Sequence, residues 1–194
     1  MMDILLTEIR SCSVCKHYLP NDPKPILQAS ALSKIAIVGQ APGQKVQNSS
    51  IPWDDLSGNE LRRWLGVTKE QFYNPEIFAL VPMGFCYPGK GKSGDLPPRP
   101  ECAMLWHKAL FAQMPGVKLI ILIGQFAHSY YLKDLKMETV TETVKNYNSY
   151  LPFFLPLVHP SPRNKIWQVK NPWFEITVVN AIQEIVKIHL SNAL

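Results

Sequence analysis

The sequence predicts an α/β fold, a three-layer α/β/α sandwich around a central, mostly parallel four-stranded sheet. Four short runs are apolar and rich in β-branched residues, and stretches with helical spacing separate them. Strands that alternate with helices form right-handed crossovers, which place helices on both faces of a parallel sheet. With 194 residues, of which 46% are hydrophobic, the chain can bury one good-sized core. We therefore expect a single domain over residues 1–194.

The four predicted strands are uniformly apolar, as strands buried on both faces are. They comprise residues 34–38, 77–81, 118–123 and 153–158. Apolar stripes at helical spacing predict the intervening helices. Their members are Leu56, Leu61, Trp64 and Leu65; then Met104, Leu105, Lys108, Ala109 and Phe111; residues 125–134; and Val178, Ile182, Ile185, Val186 and Leu190 in the tail.

Composition bounds the class of partner. A net charge of +5 and a pI near 9.0 favour a polyanion, because Lys and Arg contacts to phosphates release counterions. Seventeen prolines against ten glycines indicate stiffened loops, and residues 88–100 form a Pro-, Gly- and Lys-rich loop typical of a functional or a disordered segment. No apolar run approaches the roughly 20 residues of a membrane span, and the N-terminus lacks the pattern of a signal peptide. We expect a cytoplasmic protein without a membrane partner.

The four cysteines are Cys12 and Cys15, which form a Cys-x-x-Cys pair, Cys86 after the second strand, and Cys102 at the start of the next helix. Structural disulfides are rare in the cytosol, so this set suggests a metal or a cluster. Four thiolates suit a 4Fe–4S cluster or one tetrahedral zinc ion. Buried reduced thiols without a metal are the alternative reading, because free cysteine packs as a small hydrophobe.

Two loops that follow predicted strands carry the residues suited to chemistry. Residues 39–43 read Gly-Gln-Ala-Pro-Gly, and residues 159–164 read His-Pro-Ser-Pro-Arg-Asn. The glycines allow a sharp turn with outward N–H groups, although the dinucleotide and phosphate-loop fingerprints are both absent. Prolines on both sides of Ser161 hold an imidazole, a hydroxyl and a guanidinium on a rigid backbone. Loops at the carboxyl ends of parallel strands line one crevice, so we expect the two loops to face a single substrate.

Taken in order, these motifs resemble the uracil-DNA glycosylase superfamily, and most closely its family 4 branch, the iron–sulfur uracil-DNA glycosylases. The resemblance covers nearly the whole chain. It rests on the Cys-x-x-Cys pair, the Gly-x-Ala-Pro-Gly motif, Trp53 before a Gly-containing helix start, two cysteines around a proline-rich loop, an apolar strand closed by Gly124, and His-Pro-Ser-Pro. Each motif alone is weak, whereas their order and spacing together are specific.

The resemblance implies a monofunctional DNA N-glycosylase that flips uracil or another deaminated base out of DNA and hydrolyses its N-glycosidic bond during base excision repair. It also implies a structural 4Fe–4S cluster on Cys12, Cys15, Cys86 and Cys102, with zinc or no metal as alternatives. The expected partner is damaged DNA, double- or single-stranded, bound by a monomer. The competing hypothesis is a catalytically weak or inactive member that recognises damaged or single-stranded DNA without excision.

Roles for the loop residues follow from the same resemblance. Gln40 and His159 are the predicted catalytic residues, the first positioning water and the second donating a hydrogen bond to the carbonyl oxygen of the leaving base. Trp53 would stack on the flipped base, and Arg163 would enter the space vacated by the base or hold the minor groove. Pro42, Gly43 and Ser161 would pinch the DNA backbone. The other predicted substrate-binding residues are Gly39, Ala41, Pro162 and Asn164.

The first departure from family 4 lies at Gln40, where the family carries an acid. An amide cannot accept a proton as a carboxylate does, so we expect Gln40 to position water and not to act as a general base. Asp54 and Asp55 follow Trp53 and could supply a carboxylate. The favoured interpretation of these two is a helix N-cap and a solvated charge.

The second departure lies at the carboxyl end of the second strand. Uracil readers of the superfamily usually place an asparagine there to bind the base edge, whereas this chain has Pro82, which lacks even a backbone N–H. Losing that amide should blunt selectivity for uracil. Met83, Phe85 and Asn164 are the candidates to rebuild the pocket.

Overall fold

A parallel sheet organises the protein, whose computed structural model describes residues 1–191. In chain order the strands are β1 (Ile35–Val38), β2 (Phe78–Leu80), β3 (Lys90–Gly91), β4 (Gly94–Asp95), β5 (Leu119–Ile123) and β6 (Phe154–Leu157). The central sheet has the order β2-β1-β5-β6, and all its neighbours are parallel. The predicted α/β fold class is confirmed, and each predicted strand is present within one residue at either end. The last three residues of the predicted domain lie outside the described part of the chain.

Helices connect the strands and cover the sheet. They are α1 (Met2–Arg10), α2 (Gln44–Ser49), α3 (Leu56–Leu65), α4 (Lys69–Phe72), α5 (Lys108–Ala112), α6 (Gln125–Tyr131), α7 (Val140–Lys145), α8 (Lys165–Lys170) and α9 (Asn180–Ser191), with π-helical turns at Ala103–His107 and Phe174–Val179. Local signals set several of their ends. Asp55 caps α3 by accepting a hydrogen bond from the Gly58 N–H, as predicted, and Gly66 ends this helix with φ 66°.

Alternate residues of β1 show the three layers. Ile35 and Ile37 pack on one face of the sheet in a core that includes residues of α3, α7 and α9, whereas Ala36 and Val38 face cores that include residues of α1, α5 and α6. The edge strand β2 is covered by Gln28, whose backbone exchanges hydrogen bonds of 3.0 and 2.7 Å with Leu80. None of the helices within residues 1–191 is long and apolar enough to cross a lipid bilayer.

Of the four predicted helix stripes, two are confirmed, one is confirmed except at its first residue, and one is wrong. Val178, Ile182 and Val186 are buried as predicted, and α6 falls within residues 125–134. Leu56 is 60% exposed, although the rest of its stripe is buried.

The stripe that begins at Met104 and Leu105 is wrong, because these side chains are 65% and 51% exposed. Ala103, His107 and Leu110 face the interior instead. The π-helical turn at Ala103–His107 is wider than an α-helical turn, so it rotates the buried face away from a 3.6-residue pattern.

The Pro-rich loop of residues 88–100 contains ordered structure. β3 and β4 pair in antiparallel fashion, Lys90 with Asp95 and Gly91 with Gly94, and the short β-hairpin that they form is called the hairpin below. The chain order of the main sheet reverses between β1 and β5, which is where ligands bind in open α/β sheets. The hairpin lies beside that crevice.

Candidate active site

A cleft of about 550 Å³ lies at the carboxyl ends of β1 and β6. This volume lies in the usual range of small-molecule pockets. All but one of the predicted catalytic and substrate-binding residues line it, namely Gly39, Gln40, Ala41, Pro42, Gly43, Trp53, His159, Ser161, Arg163 and Asn164. The exception is Pro162, which is exposed on the neighbouring turn. The two loops, which lie more than a hundred residues apart in sequence, therefore face one cleft as expected. The individual roles assigned to these residues stay predictions.

Hydrogen bonds within the loop brace the His-Pro segment. The Asn164 side chain donates to the His159 carbonyl oxygen at 2.7 Å, and the Asn164 N–H donates to the Ser161 carbonyl oxygen at 2.8 Å. The Ser161 hydroxyl accepts from the Arg163 N–H at 3.3 Å, which caps the 3₁₀ turn that follows. The imidazole is thus carried by a backbone with little freedom to move.

Trp53 forms one wall of the cleft, and two glycines make room for it. Its φ is 59°, a left-handed conformation that a tryptophan rarely adopts. A Cβ at Gly39 would lie 2.7 Å from the indole, and a Cβ at Gly58 would lie 1.8 Å from the Trp53 carbonyl oxygen. The indole and the His159 ring are 5.8 Å apart, so the predicted stacking residue lies next to the predicted hydrogen-bond donor.

The charge state of His159 is set by its surroundings. Burial lowers the pKa of His159, and the negative charges of Asp55 and Asp95 oppose that shift. The imidazole is therefore neutral at neutral pH, which leaves one ring N–H available to donate.

Gln40 lies at the crevice where the strand order reverses. Its side-chain nitrogen would be 3.2 Å from a Cβ at Gly124, whose φ is 81°, so the glycine that closes β5 provides the space for this amide. The Gln40 carbonyl oxygen accepts from the Gly84 N–H at 2.8 Å, and the Gly39 carbonyl oxygen accepts from the Met83 N–H at 2.8 Å. The glycine loop is thereby tied to the chain that leaves β2.

Pro82 lines the cleft at the position where uracil readers of the superfamily usually have an asparagine. Its carbonyl oxygen accepts a 3.1 Å hydrogen bond from the Nε2 of His107, which is 2% exposed. Met83 and Phe85, two of the candidates to rebuild the pocket, are buried in apolar cores and are not among the residues that line the cleft. Asn164 is the member of that group that reaches the cleft.

The hairpin is the part of the cleft that the sequence did not predict. Ser93, Gly94, Asp95 and Leu96 line it. The Arg163 guanidinium donates to the Ser93 carbonyl oxygen at 3.2 Å, so the His-Pro loop and the hairpin meet across the cleft. The closely spaced Gly91 and Gly94 around two polar residues were the available signal, since such spacing is typical of tight hairpin turns.

The four cysteines come together from three separate segments around a second, much smaller cavity of about 20 Å³. None of the four forms a disulfide bond. Burial raises the pKa of Cys86 to about 11 and that of Cys102 to about 12. The Phe85 N–H donates to the Cys102 sulfur at 3.5 Å, a contact of the kind that supports ligand sulfurs in metal sites.

The donor set tests which group these thiols suit. Within the described residues, no three Cys, His, Asp or Glu side chains converge as they would around a single metal ion. A 4Fe–4S cubane holds its four thiolates at separate irons, and so farther apart than the four ligands of one zinc ion. Beside these thiols, Arg99 lies 4.3 Å from the centre of the Tyr18 ring and forms an ion pair with Glu101, so its positive charge is already matched by a carboxylate. As a donor set the four thiols suit an iron–sulfur cluster, whose presence stays a prediction.

Comparison with known proteins agrees with the fold and the cleft. The family model described as the uracil DNA glycosylase superfamily matches residues 28–183. A type-4 uracil-DNA glycosylase from Thermotoga maritima is 23% identical over 168 residues, which cover 83% of this chain and 82% of the relative. The resemblance to family 4 is confirmed. From the parallel sheet, the paired loops and this match over most of its length, the chain belongs to the uracil-DNA glycosylase superfamily.

Proposed function

We propose that the protein is a monofunctional DNA repair glycosylase that flips a deaminated base, uracil or another, into the cleft and hydrolyses its N-glycosidic bond. The observation that carries this proposal is the convergence of both loops on one cleft, with a neutral imidazole beside an indole. A cytoplasmic location and a monomeric state stay predictions. Damaged DNA, double- or single-stranded, is the proposed partner.

Binding begins with extrusion of the nucleotide, which costs a few kcal/mol of unstacking. Stacking of the flipped base on Trp53, worth about 1–3 kcal/mol, offsets part of that cost. The N–H groups of the glycine loop and the Ser161 hydroxyl are suited to the phosphates on either side. The net charge of +5 favours the encounter with DNA.

The chemical step breaks the bond between C1′ of the sugar and the base nitrogen. The electron pair leaves with the base, so negative charge develops on its carbonyl oxygens. A neutral His159 N–H directed at one of these oxygens stabilises that charge. Water adds to C1′ and loses a proton, and Gln40 orients it by hydrogen bonds without accepting that proton.

For the second cavity we propose a 4Fe–4S cluster bound by Cys12, Cys15, Cys86 and Cys102. Its support is the four-thiol donor set gathered from three chain segments. Such a cluster would join the N-terminal segment and the proline-rich loop to the core, and no step of the proposed reaction passes through it. A brown protein that absorbs broadly near about 400 nm and contains iron and sulfide is the expected result. A colourless protein would leave zinc or free thiols.

A binding protein without excision is the second candidate function. Two observations favour it: Gln40 replaces the acid of family 4, and Pro82 presents a ring where an amide would read the base. The two functions are separated by incubating the protein with uracil-, hypoxanthine- and xanthine-containing oligonucleotides and then cleaving abasic sites with alkali. Strand scission on at least one of them is expected. Retained DNA binding with no scission on any would overturn the enzyme proposal.

Variants of the His-Pro loop test the assigned roles. His159→Ala should lower excision by about 100-fold or more with DNA binding retained, as removal of one donor to a developing oxyanion does. Arg163→Ala should weaken flipping most on well-paired duplexes. Lys165→Ala is its matched control, because it removes the same charge from an exposed position two residues away. Equal, modest losses from all three variants would contradict these roles.

A further inference from the structure

Hydrolysis in this cleft lacks an obvious proton acceptor. Water that adds to C1′ must lose a proton, and the Gln40 amide cannot take it. Asp55 and Asp95 are the carboxylates among the residues that line the cleft. Both lie near His159, because burial lowers the pKa of this imidazole and the negative charges of Asp55 and Asp95 oppose that shift.

The two carboxylates differ in what already holds them. One oxygen of Asp55 accepts a 2.8 Å hydrogen bond from the Gly58 N–H and caps α3, so this side chain has a structural role. Asp95 lies on β4 and is exposed, so water reaches its carboxylate.

The position of Asp95 is defined from two sides. Its Oδ2 would lie 3.4 Å from a Cβ at Gly43, which places the carboxylate against the glycine loop. The buried Tyr87 has its pKa raised by burial, then by the charge of Asp95 and a hydrogen bond to it. The hairpin is also held on the His-Pro loop by the bond from Arg163 to the Ser93 carbonyl oxygen. The hairpin that carries Asp95 thus contacts both loops, and its carboxylate lies against the loop that carries Gln40.

We propose that Asp95 is a further catalytic residue of this cleft, the general base that takes the proton from the attacking water. The water oxygen forms a bond to C1′ as the bond from C1′ to the base nitrogen breaks. That electron pair leaves with the base, and the water proton moves to the Asp95 carboxylate, which later releases it to solvent. Gln40 would then position the water and Asp95 would accept its proton, in place of the single acidic residue that family 4 carries at the position of Gln40. This assignment rests on the proposed glycosylase function.

The test compares two variants that each remove one negative charge near His159. Single-turnover excision is measured for wild type, Asp95→Asn and Asp55→Asn on whichever of the uracil, hypoxanthine and xanthine oligonucleotides the wild type cleaves. Asp95→Asn should lower the rate by about 100-fold or more, as loss of a general base does. Asp55→Asn keeps the cap, because asparagine also caps helices, and should cost less than about tenfold through charge alone.

A second measurement separates catalysis from structure. Asp95→Ala should recover part of its lost rate when sodium formate is added, because formate supplies a carboxylate that can accept the proton. Thermal melting establishes that each variant is folded, and affinity is measured with the same oligonucleotide carrying a 2′-fluoro substituent that resists cleavage. Affinity should be unchanged in Asp95→Asn.

Three results would overturn the assignment. Equal losses from Asp95→Asn and Asp55→Asn would show that charge near His159 is all that matters. Tighter DNA binding by Asp95→Asn at an unchanged rate would show that the carboxylate merely competes with a DNA phosphate beside Gly43. A wild-type protein that binds DNA but excises none of the three bases would overturn the proposed function, and with it the role of Asp95. This last result needs no variant, so it can be told apart from failure of the Asp95 assignment alone.

Discussion

His107 should make the stability of the protein depend on pH. The side chain is 2% exposed, and its Nε2 lies 3.1 Å from the Pro82 carbonyl oxygen while its Nδ1 lies 2.7 Å from the Tyr131 hydroxyl. A carbonyl oxygen only accepts, so Nε2 carries the proton and Nδ1 accepts from the Tyr131 O–H. This neutral tautomer satisfies both ring nitrogens, whereas a second proton on Nδ1 would reverse the bond and leave the Tyr131 O–H without its acceptor.

Burial lowers the pKa of His107 from 6.5 to about 4, and the bond to the Pro82 carbonyl opposes the shift only in part. Between these values the unfolded chain binds a proton that the folded chain does not. The free energy of unfolding therefore rises with pH through this window, is fully gained above about pH 6.5, and is lost as the pH falls toward about 4. The gap between the two pKa values corresponds to roughly 3 kcal/mol.

The assay is urea unfolding, followed by tryptophan fluorescence, at a series of pH values for wild type and His107→Gln. Glutamine can donate to Pro82 and accept from Tyr131 but does not titrate, so it serves as the matched control. Burial also lowers the pKa values of His128 and of His159 in the cleft, and their contributions cancel in the difference between the proteins. Wild type should lose about 3 kcal/mol more than the variant between pH 7 and 4. Parallel pH profiles would refute the reasoning.

Three further outcomes are expected. Gly39→Ala should leave the fold intact, because its new Cβ would lie 2.7 Å from the Trp53 indole, which is a side chain that can move. The displaced indole should stack less well on the base and weaken binding of an oligonucleotide that contains 2′-fluoro-2′-deoxyuridine by about tenfold. Fluorescence anisotropy checks this, and unchanged affinity would contradict the stacking role. Gly58→Ala should instead lower the melting temperature by several degrees or prevent folding, because its Cβ meets a backbone oxygen at 1.8 Å. Cys102→Ser should abolish absorbance near about 400 nm and lower the melting temperature by about 10 °C, whereas a variant that keeps its iron and its colour would exclude this ligand.

The sheet could be predicted because a buried parallel strand has a simple signature. Residues such as Ile35, Ile37 and Ile121 are fully buried, so each strand reads as an unbroken apolar run. The two loops could be placed on one crevice for a related reason, since parallel strands end at the same edge of a sheet. The stripe at Met104 failed because a π-helical turn changes the periodicity on which the prediction depends.

The hairpin could not be predicted from apolar runs. β3 and β4 have two residues each and no apolar alternation, so their position depends on contacts with distant parts of the chain. One is the bond from Arg163 to Ser93, and another is the approach of Asp95 to Gly43. Both partners are loop residues far away in sequence. The sequence therefore did not predict that Asp95 places a carboxylate beside the glycine loop, which has none of its own.

The segment after β2, which lacks the asparagine that uracil readers usually have, also has its backbone polar groups occupied by hydrogen bonds within the protein. Pro82 has no N–H, and its carbonyl oxygen is occupied by His107. The N–H groups of Met83 and Gly84 donate to the carbonyl oxygens of Gly39 and Gln40. These three residues therefore keep no backbone donor with which to read a base, and one N–H of the Asn164 amide is used by the His159 carbonyl. If the protein excises bases as proposed, we expect weak discrimination at this side of the cleft, because a base edge against the Pro82 ring meets no backbone donor.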